Sequence, residues 1–401
     1  MKILHTSDWH IGRTFHGADL HAHQGAFIDH LCQTVDEYAV DAVLVSGDVY
    51  DRAVPSVASV RLLADALERL TKRTCVIITP GNHDSSVRLG FAAELMTERL
   101  RILADVESIG KPVRLTGAGG VDDRDVIVYG IPYLDPDAVR GQLTDDSGTP
   151  PARSHEAVLS AAMDIVREDF SRRPAGTVAI VMAHAFVSGG HVSDSERDIR
   201  VGGVDVAPAS VFHGVDYVAL GHLHSPQRIS PHSGPHTSPQ RVNTEGPHIR
   251  YSGSPLAYSF SEEDRPKSTT LLTVDDRGIN TELIPAPTPY QLATITAPMA
   301  ELMTGFDDFR HAWLRVRVTD PRFPDGMYAR VKERFPHAMD IRHAPPVEID
   351  SSATPHIVPE ADPVDVGTDF IEYVTGTHAT GTETRLLAYA VERARAQGGG
   401  A

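Results

Sequence analysis

Five short polar runs, each directly following an apolar, β-branched stretch, constrain how this 401-residue chain can fold. They are Asp8-Trp9-His10, Gly47-Asp48, Gly81-Asn82-His83-Asp84, His184 within Met182-Ala183-His184-Ala185-Phe186, and Gly221-His222-Leu223-His224. The strand-type stretches before them span residues 2–6, 42–46, 75–79, 178–182 and 217–220, with another at 126–129. Between the first two, Phe27, Ile28, Leu31, Val35 and Tyr38 recur at helical spacing. Val60, Leu63, Leu67 and Leu70 do so after Pro55-Ser56, and Ala157, Ala161, Ile165 and Val166 mark a third helix. Such alternation predicts an α/β fold of sheets flanked by helices, with ligands gathering beyond the carboxyl ends of the strands.

The pattern occupies residues 1–285 and is broken at 230–248, a stretch with four Pro, three His and two Gly that reads as a flexible insertion. Pro density near Ile284-Pro285-Ala286-Pro287-Thr288-Pro289 marks a linker. Beyond it, residues 290–347 suggest a small α+β domain: a strand at 314–318, a helix at 328–335 and a strand at 339–342. An acidic, Pro-rich linker at 348–366 leads to two short amphipathic helices within 368–396. Phe370, Ile371, Tyr373 and Val374 line the first, and Leu386, Leu387, Tyr389, Ala390 and Val391 the second. Faces of that size need the chain's own body or a partner to cover them.

Composition narrows the setting. No stretch approaches the ~20 apolar residues of a membrane span. The start, Met1-Lys2-Ile3-Leu4-His5, enters a strand with no signal-peptide features, so a cytoplasmic protein is expected. Its two cysteines, Cys32 and Cys75, read as buried thiols in a reducing compartment. A formal charge of −17 argues against a protein that coats nucleic acid unaided, since that affinity comes mainly from Lys and Arg, but it leaves room for a local basic groove or a basic partner.

The polar runs hold oxygen and imidazole donors and no thiolate, a set suited to Mn, Fe or Zn. Asp8 and His10, two apart after a strand, can turn to one side. Asp48 follows a Gly that permits a tight turn, and its two oxygens make it the natural bridge between two cations. One metal would take Asp8, His10, Asp48 and His224; the other would take Asp48, Asn82, His184 and His222. Two cations ~4 Å apart would supply a bridging hydroxide at neutral pH and clamp both oxygens of an in-line displacement at phosphorus. His83 is the member best placed to protonate a leaving oxygen, with Asp84 orienting its imidazole. Arg52 could contact a phosphate or lie solvated, and Trp9 reads as packing. His5, His16, His21, His23 and His30 are expected on surfaces or under the insertion.

Ser7-Asp8-Trp9-His10-Ile11-Gly12, Gly47-Asp48-Val49-Tyr50-Asp51, Gly81-Asn82-His83-Asp84 and Gly221-His222-Leu223-His224 resemble the calcineurin-like metallophosphoesterases, whose fold is a β-sandwich flanked by helices. More narrowly, with Arg250-Tyr251-Ser252-Gly253-Ser254-Pro255-Leu256, Ser259-Phe260 and the tail at Phe370-Ile371-Glu372-Tyr373-Val374, the chain is similar to the SbcD family of bacterial nuclease subunits. That resemblance implies a Mn-dependent DNA nuclease of the nucleoid, a 3′–5′ double-strand exonuclease and single-strand and hairpin endonuclease serving recombination, replication and repair. It further implies a homodimer within a heterotetramer with an SbcC-like coiled-coil ATPase, a capping role for 290–347, and docking of the ATPase by 368–396. The alternative is a metallophosphatase or phosphodiesterase acting on phosphoproteins or small phosphoesters. Gly47-Asp48 with Asp51-Arg52, then Gly81-Asn82-His83, also resemble Ser/Thr phosphatases, which have a further Gly where this chain has Ala53.

Overall fold

Successive residues of the parallel strands point to opposite faces, and here both faces are apolar. Ile3, Ala42, Leu44 and Ile77 point one way and meet Val128, Ile180, Met182 and Tyr217 of a second sheet. Leu4, Val43, Val45 and Val76 point the other way, against Phe27, Leu31, Leu63 and Leu70 of two helices, His21–Tyr38 and Val57–Thr71. On the far side of the second sheet, Ile127, Val181, Val218 and Tyr251 meet Val158, Ala162, Met163 and Phe170 of the helix His155–Ser171. Four layers follow, helix–sheet–sheet–helix. Double burial is why the strands read as unbroken apolar runs. Truncating one such residue, Leu44 for instance, would cost ~2–5 kcal/mol.

The computed structural model describes residues 1–115, 125–196, 206–230, 246–346, 362–375 and 377–398. The expected insertion at 230–248 and linker at 348–366 fall largely outside these residues. Two units are distinguished, Met1–Ala293 and Thr294–Ala401. In the first, one sheet runs Gly278–Pro285, Ser268–Asp275, Lys2–Thr6, Ala42–Ser46, Cys75–Thr79, Leu100–Ile102. The other runs Gln227–Ile229, His248–Tyr251, Tyr217–Gly221, Val178–His184, Val126–Ile131, Val113–Leu115. Central strands are parallel in both, with antiparallel partners toward the edges. Parallel order brings the ends of Lys2–Thr6, Ala42–Ser46 and Cys75–Thr79 to one rim, and those of Val178–His184 and Tyr217–Gly221 to the rim facing it. Helix starts are fixed locally: Oγ of Ser56 accepts from Ser59 N–H at 3.1 Å, and Oγ of Ser154 from Ala157 N–H at 3.2 Å.

Leu292–Ala297, which runs into the second unit, forms a three-stranded sheet with Trp313–Val318 and Ala338–His343. The helices Met299–Thr304 and Met327–Arg334 bury Leu302, Met327 and Val331. Two further helices, Pro363–Thr375 and Gly381–Gly398, lie against each other where Gly367 meets Leu387. They therefore cover part of their apolar faces mutually, while Phe370, Leu386 and Tyr389 stay exposed. No helix among the described residues is long and apolar enough to cross a membrane.

Candidate metal centre

At the rim, the backbone adopts conformations that side chains seldom tolerate. Asp8, His10, Asp48 and His222 have φ of 54°, 43°, 50° and 109°. Left-handed residues of this kind cost on the order of 1–3 kcal/mol each and persist only when their surroundings over-determine them. The surroundings here are the neighbouring loops. Asp8 N–H donates to Gly47 O at 3.0 Å and His10 N–H to Asp48 O at 2.9 Å, so the turns after two adjacent strands zip together. Nε2 of Gln24 donates to His10 O at 2.7 Å. His83 N–H donates to Oδ1 of Asp48 at 2.8 Å, and the glycine at 81 is required: a β-carbon there would sit 2.1 Å from that same oxygen.

The remaining carboxylate oxygen lies between two imidazoles. Oδ2 of Asp48 is 3.6 Å from Nε2 of His10 and 3.4 Å from Nε2 of His184. On one side, Nε2 of His10 faces Nε2 of His224 at 3.1 Å. On the other, Oδ1 of Asn82 faces Nε2 of His184 at 2.9 Å and Nδ1 of His222 at 3.3 Å. Asp8 reaches both halves: its ligand atom lies within 4.8 Å of those of His10 and His224, and within 4.8 Å of those of Asp48 and His184. Its oxygens accept His222 N–H at 3.0 and 3.2 Å and the Ser7 hydroxyl at 2.5 Å. The seven residues expected as ligands are thus brought together around Asp48.

The donor set fits two cations. Lone-pair atoms converge in pairs, Nε2 of His10 on Nε2 of His224 and Oδ1 of Asn82 on Nε2 of His184. Charge is unbalanced in the same sense. Burial alone would lower the pKa of His184, yet Asp48 and Asp8 outweigh it and raise it to about 9. Burial, with Asp48 adding to it, pushes the Asp8 carboxyl up. Burial also depresses His10 and His224, and takes His222 down to about 3 with His184 contributing, which keeps these imidazoles neutral. Asp48 goes the other way: although burial opposes ionisation, His184, His10 and His83 hold it well below the usual carboxylate range. Neutral nitrogen donors set around the ionised Asp48 carboxylate have the chemistry of a divalent-cation site.

His83 and Asp84 occupy different places from those expected of a coupled pair. Asp84 does not orient the His83 ring. Its carboxylate accepts backbone N–H groups of Val49 (3.0 Å), Tyr50 (2.9 Å) and Gly81 (2.9 Å), tying the two ligand loops together. Backbone amides out-compete an imidazole because three converge on it at once. Nδ1 of His83 instead donates to the carbonyl oxygen of Asp51 at 2.8 Å, and its ring stands edge-on to His10, centroids 4.7 Å apart. A cavity of about 430 Å³ opens here, lined by Arg13, Asp51, Arg52, Asn82 and His83. Arg52 is exposed and lines it. Trp9 is packing, its indole N–H on Oγ1 of Thr6 at 3.0 Å and its ring edge-on to Phe27. His5 departs from expectation: it is fully buried between the sheets, on the Tyr217 hydroxyl at 3.1 Å and Leu220 O at 3.2 Å.

Several contributors carried no sequence signal. Arg13 lies over the Tyr258 ring at 4.9 Å and donates to Ser195 O at 2.7 Å, while the Tyr258 hydroxyl donates to Trp9 O at 2.7 Å. Glu196 accepts His224 N–H at 2.9 Å. The Tyr251–Leu256 run has a physical role beside its family likeness. Oγ of Ser252 is 2.8 Å from Oγ of Ser7, and the Tyr251 hydroxyl donates to Ala185 O at 2.7 Å, steadying the residues next to Asp8 and His184.

Sheets, rim and donor set together define a metal-dependent phosphoesterase. Residues 1–226, more than half of the 401, match the family model described as calcineurin-like phosphoesterase, and the chain belongs to that family. Among solved structures it is similar to TT1561 of Thermus thermophilus, at 14% identity over 70% of this chain and 98% of that one, with a TM-score of 0.39. It is also similar to GAP50, the anchor in the inner membrane complex of Plasmodium (10% identity, 71% and 84% covered, TM-score 0.38). A dimetal phosphatase from Danio rerio is a third (10% identity, 72% and 99% covered, TM-score 0.37).

Proposed function

We propose that the chain is a Mn²⁺-dependent DNA nuclease, hydrolysing phosphodiesters in duplex ends, single strands and hairpins. The observation that carries the two-metal hydrolysis is Oδ2 of Asp48, set between His10 and His184, and the likeness to SbcD favours DNA over a small phosphoester. His224 lies beyond the first, Asn82 and His222 beyond the second, and Asp8 within reach of both halves. When bound, two divalent cations would activate water and neutralise charge on the phosphoryl oxygens. The protein's own groups do the rest. His83, fixed through Nδ1–H by the Asp51 carbonyl, lines the cavity; as the doubly protonated imidazolium it gives its Nε2 proton to the leaving oxygen and is left as the neutral Nδ1–H ring. Arg13 and Arg52 line the same cavity and give an acidic chain local cations for a phosphodiester backbone.

The exposed Phe370, Leu386 and Tyr389 leave apolar surface for a partner to cover, and the likeness to SbcD supplies the rest of the reading: a coiled-coil ATPase of SbcC type on the terminal helices, with this chain as a homodimer. Purified protein with Mn²⁺ should degrade linear duplex DNA and stop on adding EDTA. Activity confined to phosphoproteins or small phosphomonoesters would overturn the nuclease reading in favour of a phosphatase.

A further inference from the structure

A buried chain of polar groups outside the ligand set ends on one ligand. Nζ of Lys267 donates to His224 O at 2.7 Å, to Oγ of Ser254 at 2.9 Å and to Oε2 of Glu262, which uses its three hydrogens. Oε1 of Glu262 accepts the Ser195 hydroxyl at 2.7 Å and Tyr258 N–H at 3.2 Å. Oγ of Ser195 lies 2.6 Å from Nδ1 of His224. All four side chains are buried.

The proton positions follow from donor counting. A carboxylate paired with Lys267 has no hydrogen to give, so the Ser195 hydrogen goes to Glu262. Ser193, its Oγ 2.8 Å from Oγ of Ser195, spends its one hydrogen on Oε2 of Glu196 at 2.6 Å. As an acceptor it is weaker than the Glu262 carboxylate, which leaves that assignment intact. Ser195 must therefore accept from His224, whose Nδ1 carries the ring hydrogen. Nε2 keeps its lone pair, aimed at the space shared with His10.

We propose that Glu262, Lys267 and Ser195 form a positioning relay that locks the His224 tautomer and ring plane, and so sets the divalent-cation affinity of the Asp8–His10–His224 half of the centre. The inference deepens the two-metal reading and rests on it. Glu196 reinforces the relay by holding His224 N–H from the same loop. Groups that orient a ligating histidine are worth ~10–100-fold in metal affinity.

The test uses the full chain, stripped of metal. Nitrogen-15 histidine NMR should find His224 as the Nδ1–H tautomer in the wild type and lose that preference in Ser195→Ala; an Nε2–H ring in the wild type overturns the relay whatever the metal does. Calorimetric titration with Mn²⁺ alone should then give two binding events, with Ser195→Ala weakening one of them ~10–100-fold and Ser195→Thr, which keeps the hydroxyl, close to wild type. Both events unchanged or equally weakened, or Ser195→Thr as weak as Ser195→Ala, would overturn the proposal. Failure of the wild type to bind Mn²⁺ would overturn the two-metal reading instead, and the tautomer measurement tells the two apart.

Discussion

A β-carbon placed on Gly221 would stand 1.8 Å from the carbonyl oxygen of Ser46. These two residues end strands in different sheets, so the sandwich closes backbone to backbone where the ligands emerge. The same glycine carries His222 at φ 109° and lies against Nδ1 of His184, which itself is 3.0 Å from Ser46 O. Close approach of the sheets is therefore what unites the two halves of the centre. Gly221→Ala should cost ~1–3 kcal/mol or more by overpacking, with loss of Mn²⁺ binding. Wild-type stability in urea would contradict it.

Lys267 and Glu262 form an ion pair shielded from water. Lys267→Met leaves a buried carboxylate unpaired and should cost ~3–5 kcal/mol, whereas Glu262→Gln together with Lys267→Met should recover much of that. Chemical denaturation of the three proteins checks this. A single-variant loss below ~1 kcal/mol, the scale of a surface pair, would mean the pair is hydrated.

Stability should fall in mild acid. Burial holds the His5 imidazole down at about 3, against 6.5 for the unpaired group. The folded pKa is depressed, so the unfolded state takes up the proton first. The contribution of neutral His5 is whole above about 6.5 and is lost as pH falls toward 3, at ~1.4 kcal/mol per pH unit. Urea unfolding of metal-free protein across that range should give His5→Gln a shallower pH slope by that amount. Equal slopes would count against a buried, neutral His5.

His83→Ala should lower hydrolysis ~10²–10⁴-fold, the worth of a positioned general acid, while Mn²⁺ still binds. The distinction is real because the ring also lies close enough to His10 and Asp48 to ligate: their ligand atoms are within 4.8 Å. Parallel loss of binding and activity would make His83 a ligand.

What the sequence made legible was whatever acts over short range. Ala42–Ser46 and Cys75–Thr79 have the bounds their β-branched runs suggest, because both faces of those strands are buried. Asp8 and His10 declare themselves by spacing, and the glycines beside Asp48, Asn82 and His222 by their company. Long-range relationships left no such trace. Gly278–Pro285 is an edge strand in which Ile284 alone is buried, and Val113–Leu115 is too short to show alternation. Ser195 and Glu262 are 67 positions apart, so their joint hold on His224 exists only in the fold. Asp84 differs for a related reason: adjacency to His83 suggests a pair, whereas the fold aims its carboxylate at three backbone amides.

The central claim is that Asp48 joins two cations, and anomalous diffraction from crystals soaked in Mn²⁺ tests it most directly. Two peaks should straddle Oδ2 of Asp48, one beside His10 and His224, the other beside Asn82, His184 and His222, and both should vanish in Asp48→Asn. A single peak, or two peaks that survive that substitution, would contradict the account.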